Sequence, residues 1–445
     1  MNAANTSNGI VEALPPRDQR LERAAQILRR AAYINGAIAV GGLVLALIAG
    51  LRVIPNLFGF LQRVLLIGYA GDADTALALA ILLALVNVSL LLVLTVGVLA
   101  REVWALPAIW LLVAANALTL VIIGYTPAVV TIIFAAWAAI VLNRELRAFR
   151  VNPVMLKELR GRMRGMRAFA VMTVYLALMS GFAALLYLIY GSITRTSGSS
   201  AAGEIGRILF LGIVGIELLL IIFIAPAFTA GAITGERERQ TYDLLRTTLL
   251  ATPSFVIGKL ESALGYILLL LLAGIPLQSI AFLFGGVSET EVILSFIILM
   301  VTAIALGTVG IYFSAAMPRT LTASIRAYGA ILVAMFIAPI VLGGVLNLIN
   351  NVLFARAGLL MSPVMEAIFR YLNLLLTSIN PVATGLASQQ LLIEQDVLSF
   401  WSLTLQSNGS MIPMISPWIT FTILYLAVSA ILIVLTIRGT QHTEI

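Results

Sequence analysis

Ten stretches of this chain stay apolar for about 20 residues, the length a helix needs to cross the hydrocarbon core of a bilayer. They are Tyr33–Leu51, Thr75–Ala100, two within Trp104–Leu142, then Ala168–Tyr190, Ile208–Ile233, Phe255–Phe284, Val292–Met317, Ser324–Leu348 and Ile415–Ile437. Lipid offers no hydrogen bonds, so a spanning segment must bond its own backbone, and runs of this kind fold as helices. Trp104–Leu142 supplies two because Tyr125, Thr126 and Pro127 break it with a turn. Of 445 residues, 61% are hydrophobic and 11% charged, against roughly 25% charged in a soluble domain. The reading is an all-α polytopic membrane protein with about ten transmembrane helices.

The residues that are missing narrow the function. There is no cysteine, and His442 is the only histidine, so thiolate sites, His-built metal sites and a Ser-His-Asp triad are excluded; a carboxylate-only site is not. No Gly-rich phosphate loop of the form GxxxxGK[ST] occurs; Gly258-Lys259-Leu260 comes nearest but lacks the upstream glycine spacing and the hydroxyl. The chain is therefore not expected to be an enzyme, nor to hold metal, ATP or another cofactor itself. The net charge of +7 reports topology and anionic headgroups, not nucleic acid.

Charge distribution orients the spans. With the N-terminus in the cytoplasm, only Arg52, Arg63, Arg195, Arg207, Arg356 and Arg370 of the 27 Lys and Arg lie outside. Both termini are then cytoplasmic, in a cell (plasma) membrane of prokaryotic type. Residues 1–32 form an amphipathic cytoplasmic N-terminus, with no cleavable signal evident; residues 33–142 form a four-span membrane domain, and residues 439–445 a cytoplasmic tail. Residues 349–414, on the outer side, are too apolar for a plain loop; Ser362–Leu376 and Pro381–Ile393 read as short helices in or dipping into the outer leaflet.

Two charged stretches fall on the cytoplasmic side. In Gly235–Thr248, GERERQTYDLLRTT, a helix places Glu236, Arg239, Asp243 and Arg246 on one stripe and Tyr242, Leu245 and Leu249 on another, with each acid near a base at i+3 or i+4. Tethered at both ends by spans, it reads as a surface helix that docks a soluble partner, or as a solvated helix that touches nothing. In residues 143–167, Pro153 opens a helix on which Lys157, Arg160, Arg164 and Arg167 form a basic stripe; Met155, Leu159, Met163 and Met166 lie on another side. That is an interfacial helix contacting membrane lipids.

Within the spans, Pro226 removes a backbone bond to the carbonyl of Ile222 and kinks its helix, either aiming the charged stretch that follows or simply being tolerated. Glu217 is an intramembrane carboxylate that lines a path, carries a proton, or sits neutral and bonded to a neighbouring helix. Lys259 and Glu261 are anchors at the mouth of the next span, with contact to a soluble partner as a second reading.

The part from Asn152 to Arg438 resembles the permease subunit of type-2 ABC transporters. The likeness rests on an order of features: NPVMLKELR before a span, then IAPAFTAGAITGERERQTYDLL with Pro226, Ala230, Ile233, Glu236, Glu238, Arg239 and Leu244-Leu245, then Thr252-Pro253 and Gly258-Lys259 opening the next span. It implies a six-span permease core over residues 168–438, preceded by four extra N-terminal spans to which it gives no role. It implies a coupling helix, residues 235–248, in which Glu236, Arg237, Glu238, Arg239, Tyr242, Asp243, Leu245 and Arg246 meet an ABC ATPase subunit, and a connecting helix carrying Lys157, Arg160, Arg164 and Arg167. The partners implied are two ATPase subunits, which supply ATP and Mg, and a second permease copy or a related permease. The function expected is an ATP-driven exporter subunit; the alternative is a non-transporting membrane scaffold that recruits a soluble protein.

Overall fold

The computed structural model describes residues 16–50, 64–67, 73–143, 152–164, 166–194, 201–242, 252–349, 363–405, 409 and 411–442. Helices dominate. In chain order they are α1 (Pro16–Gly50), α2 (Ala73–Ala100), α3 (Ala105–Ile123), α4 (Ala128–Asn143), α5 (Pro153–Met163), α6 (Met166–Thr194), α7 (Ala201–Thr229) and α8 (Thr234–Glu238). Then come α9 (Thr252–Leu283), α10 (Glu289–Ala316), α11 (Thr320–Leu332), α12 (Ala338–Ile349), α13 (Pro363–Thr377), α14 (Pro381–Gln395) and α15 (Pro417–His442). Strands β1 (Phe400–Thr404) and β2 (Met411–Ile415) pair antiparallel just before α15. This hairpin departs from the all-α expectation; Pro413 is tolerated in β2 because a two-stranded sheet is all edge.

Among the described residues, eight helical runs are long and apolar enough to cross a membrane: α2, α3, α6, α7 with α8, α9, α10, α11 with α12, and α15. The molecule is therefore a multi-pass helical membrane protein, with two fewer such runs than the ten expected. Helix α4 is apolar but only 16 residues long, about 24 Å at 1.5 Å per residue, short of the roughly 30 Å hydrocarbon core. Helix α1 joins a basic first half to an apolar second half without a break, since no Gly or Pro occurs between Arg17 and Asn35.

Helices α1 to α4 form one unit. Ala24, Ala25, Ala31, Ala135, Ala138 and Ala139 let the helices approach closely around Leu28, Leu91, Ile109 and Leu142. Residues 1–32 read as an amphipathic cytoplasmic N-terminus, yet Leu21, Ile27 and Leu28 bury against this unit. Two buried bonds fix its register, from Asn35 Nδ2 to Thr131 Oγ1 at 3.0 Å and from Asn87 Nδ2 to Asn116 Oδ1 at 3.0 Å.

The second unit is centred on α10, which lies against α7 and α15; α7 in turn lies against α6 and α9. Its core includes Leu218, Ile221, Ala225, Ile267, Leu271, Leu299, Ala303 and Met335. The units join where Val96 and Ala100 of α2 meet Ile257 of α9 and Val434 of α15. Pro339 lacks the N–H that would reach the Met335 carbonyl four residues back, and a π-turn at Val333–Ile337 absorbs the misfit. Asn380 Nδ2 donates to that carbonyl at 2.9 Å while its own Oδ1 caps α14.

Candidate functional site

The charged residues gather at the end of the bundle where α5, α8 and the α2–α3 turn meet, the basal end. The chain reaches it through α7, whose helix ends three residues after Pro226. Tyr328 donates its hydroxyl to the Phe223 carbonyl at 2.6 Å, beside the Ile222 carbonyl that the proline leaves without its helical donor. Residues 230–233 turn. Helix α8 then starts without a capping side chain of its own, and Ser314 of α10 does the work by accepting from Ile233 N at 2.9 Å and Thr234 N at 3.1 Å.

A single helix over residues 235–248 is not what forms. Helix α8 stops at Glu238, and Gln240 takes the left-handed conformation with φ 56°. The break is held because the Glu236 carbonyl accepts from Thr241 N at 3.0 Å and its carboxylate accepts from the Thr241 hydroxyl. The expected stripe of mutually paired charges is thereby replaced by contacts to other elements. Glu236 receives Lys259 of α9, Nζ to Oε1, at 2.9 Å, and the same ammonium reaches Glu158 of α5 at 3.2 Å. Lys259 is only 5% exposed, so it is a buried tie between α5, α8 and α9 and not an anchor reaching the membrane surface.

Arg237 donates to the Ala315 carbonyl at 3.0 Å, an orphan at the end of α10, and lies 5.2 Å from the centre of the Tyr242 ring. Tyr242 stacks edge-on with Phe255. Glu238 accepts from Thr320 N at 2.7 Å and Thr320 Oγ1 at 2.8 Å, putting a carboxylate at the start of α11. Arg239 and Gln240 are exposed. Asp243, Leu245 and Arg246 lie outside the described residues.

The helix expected from Pro153 to Arg167 is also shorter than expected. Asn152 caps α5 by accepting from Val154 N, but Arg164 is extended (φ −94°, ψ 126°), so α5 ends at Met163 and Arg167 falls in α6, with a side chain outside the described ones. Lys157, Arg160 and Arg164 are exposed. Leu159 turns inward to contact Gly265 and the Tyr175–Tyr266 cluster. Arg162, absent from the expected stripe, donates to the Phe228 carbonyl at 3.2 Å and covers the Phe228 ring at 5.0 Å. Burial lowers its affinity for its proton, opposed by Glu158, yet an arginine stays charged.

Beside Lys259 lies a second polar cluster. Asn152 Nδ2 donates to Glu102 Oε1 at 2.8 Å and to the Ser254 carbonyl at 2.6 Å, while Trp104 Nε1 donates to Glu261 Oε1 at 2.9 Å. Burial above all, then the neighbouring Glu261 charge, pushes the Glu102 carboxyl up to about 7, against the Asn152 bond. Gly258 is required here, because a Cβ would stand 2.6 Å from Asn152 Nδ2.

Glu217 lies apart from both clusters, fully buried within its span. Its Oε2 accepts from Gln278 at 2.6 Å and its Oε1 from Tyr175 at 3.4 Å, which binds α7 to α9 and α6. Among the described residues no group of three His, Asp or Glu comes together to hold a metal. Through Lys259, Glu238 and Arg237, α8 is tied to four other helices, α5, α9, α10 and α11. Sequence reading missed Glu158, Ser314 and Thr320 as members, because their signal is a partner 80 or more residues away. Compared with known proteins, the chain matches no family model and no curated sequence.

Proposed function

We propose that the chain is the permease subunit of an ATP-driven transporter of the type-2 ABC kind, working as an exporter. The observation that carries this reading is the wiring of α8. A five-residue helix between two spans has little stability alone, yet each of its three charged side chains is tied to a different part of the bundle: Glu236 to α9, Arg237 to the end of α10, and Glu238 to the start of α11. A solvated loop that touches nothing has no use for such ties; a part that takes a push does. In this reading the basal end faces the cytoplasm, an ATPase subunit binds the exposed Arg239 and Gln240 face, and closure of the ATPase dimer displaces α8. Lys259 then passes the displacement to α9 and, through Glu158, to α5. ATP and Mg belong to the ATPase.

The wiring also selects the test. Reversal of Glu236 or Glu238 would break the local fold, so Arg239→Glu is the informative substitution. It should leave membrane insertion and thermal stability unchanged while lowering co-purification of a co-expressed Walker-type ATPase subunit by about tenfold, the scale of one lost hot-spot contact. Undiminished co-purification of that ATPase with R239E removes the docking assignment.

A further inference from the structure

Helix α5 is occupied on one side and open on the other. Its inner side is filled: Glu158 takes Lys259, Leu159 lies on Gly265, and Arg162 donates to the Phe228 carbonyl. Its outer side carries Leu156, Lys157, Arg160 and Met163, and Arg164 follows at the helix end, all of them exposed. Among the described residues none of these three cations has a carboxylate within ion-pair distance. Lys157 feels Glu236 only from farther off, and that carboxylate is already held by Lys259. Like charges one turn apart repel one another, so the face calls for an anion from outside the chain.

The level of this corner in a bilayer follows from what comes next. Met166 opens α6, whose apolar stretch starts one turn later at Phe169, and the two are 82% and 71% exposed. Side chains so apolar and so uncovered belong against acyl chains, and the hydrocarbon therefore begins at the α5–α6 corner. The cations just before it stand at the depth of the lipid phosphates, where long basic side chains reach anionic headgroups. We propose that Lys157, Arg160 and Arg164 bind the phosphate of an anionic phospholipid in the leaflet at the basal end, with its acyl chains against Met166 and Phe169. An acidic protein surface would match the charges but not the run into Phe169, which continues as a span. Bound there, the lipid holds the outer side of the helix whose inner side Lys259 ties to Glu236 of α8.

The lipid site stands on the geometry of α5 and does not depend on the permease reading. Gly161 offers a probe position: it is exposed beside Arg160, a Cβ there meets nothing within 4 Å, and the chain has no cysteine of its own. Full-length Gly161→Cys, carrying a small fluorophore, is placed in phosphatidylcholine nanodiscs with rising fractions of spin-labelled phosphatidylglycerol or spin-labelled phosphatidylcholine. Half-maximal quenching should need about tenfold less of the anionic lipid. Lys157→Gln, Arg160→Gln and Arg164→Gln together should erase that preference at unchanged thermal stability. Each alone should narrow it by up to about fivefold, the scale of one basic side chain at an anionic surface, and the single variants decide should the triple fail to fold. Equal quenching by the two lipids in the otherwise wild-type chain, or a preference that survives in the triple variant, overturns the site. So does an equal preference at a label on Val121→Cys, at the other end of α3, since it would report general enrichment around the protein. A preference abolished by millimolar inorganic phosphate would make the occupant free phosphate. Loss of ATPase co-purification in the triple variant with the lipid preference intact would hand the cations to an acidic protein. Either result removes the lipid.

Discussion

Asn152 carries more of the basal end than any other single residue. Its Oδ1 caps α5, its Nδ2 serves both Glu102 and the Ser254 carbonyl, and its bulk fills the space that Gly258 leaves open. Asn152→Ala removes the cap, at about 1 kcal/mol, and strips a buried carboxyl of its donor, at about 1–3 kcal/mol more. Gly258→Ala forces a Cβ against the asparagine amide and should cost a similar amount. In the double variant the clash has no partner, so the combined loss should fall short of the sum by about 1 kcal/mol or more. Unfolding of the four proteins in detergent, followed by helical circular dichroism, reads this directly; strict additivity would separate Gly258 from the asparagine. The sequence announces Asn152 only as a residue before Pro153, which is enough to foresee a helix start. The glutamate 50 residues earlier is invisible to it, because a contact across units leaves no periodic trace.

At the level of elements, what the sequence made legible was whatever a local rule governs. Hydrophobic run length located eight of the ten expected spans, Pro153 the start of α5, and Tyr125-Thr126-Pro127 the α3–α4 turn. What escaped was set by partners. Charges spaced for a helix over residues 235–248 are pulled to α9, α10 and α11, and the helix stops at Glu238, with Gln240 left-handed beyond it. The turn inside the α11–α12 run is an intermediate case. Pro339 signals a defect, but its form as a π-turn depends on Asn380 reaching the freed Met335 carbonyl. That dependence is testable. Asn380→Ala should cost about 1–2 kcal/mol, from a lost cap and an unsatisfied buried carbonyl. In a Pro339→Ala background, where the backbone regains a helical N–H at that position, only the cap remains to be lost, about 1 kcal/mol at most. Equal costs of N380A in the two backgrounds, measured by thermal unfolding, would show that the asparagine does not serve the turn.

The whole molecule divides its surface unevenly, and that bears on a second copy. The hydropathic window of α10 is 61% buried, whereas those of α6 and the α11–α12 run are 11% buried. Lipid can cover any apolar helix, so exposure alone selects nothing. The permease reading adds the requirement for a partner, and these two least-buried runs of the second unit are the faces free to meet one without disturbing the core. The unit α1–α4 occupies a different side, against α9 and α15, and leaves them open. Because the chain has no cysteine, single cysteines report proximity without background. Leu188→Cys on α6 and Val341→Cys on α12, at 73% and 55% exposure, should each give a covalent dimer when native membranes are treated with a short bis-maleimide. Val121→Cys on α3, at 83% exposure, should stay monomeric although it is the most accessible of the three. Cross-linking confined to position 121 would move the second copy to the N-terminal unit. Equal cross-linking at all three sites would mean random collision in the bilayer, leaving the second unit without a specific partner face.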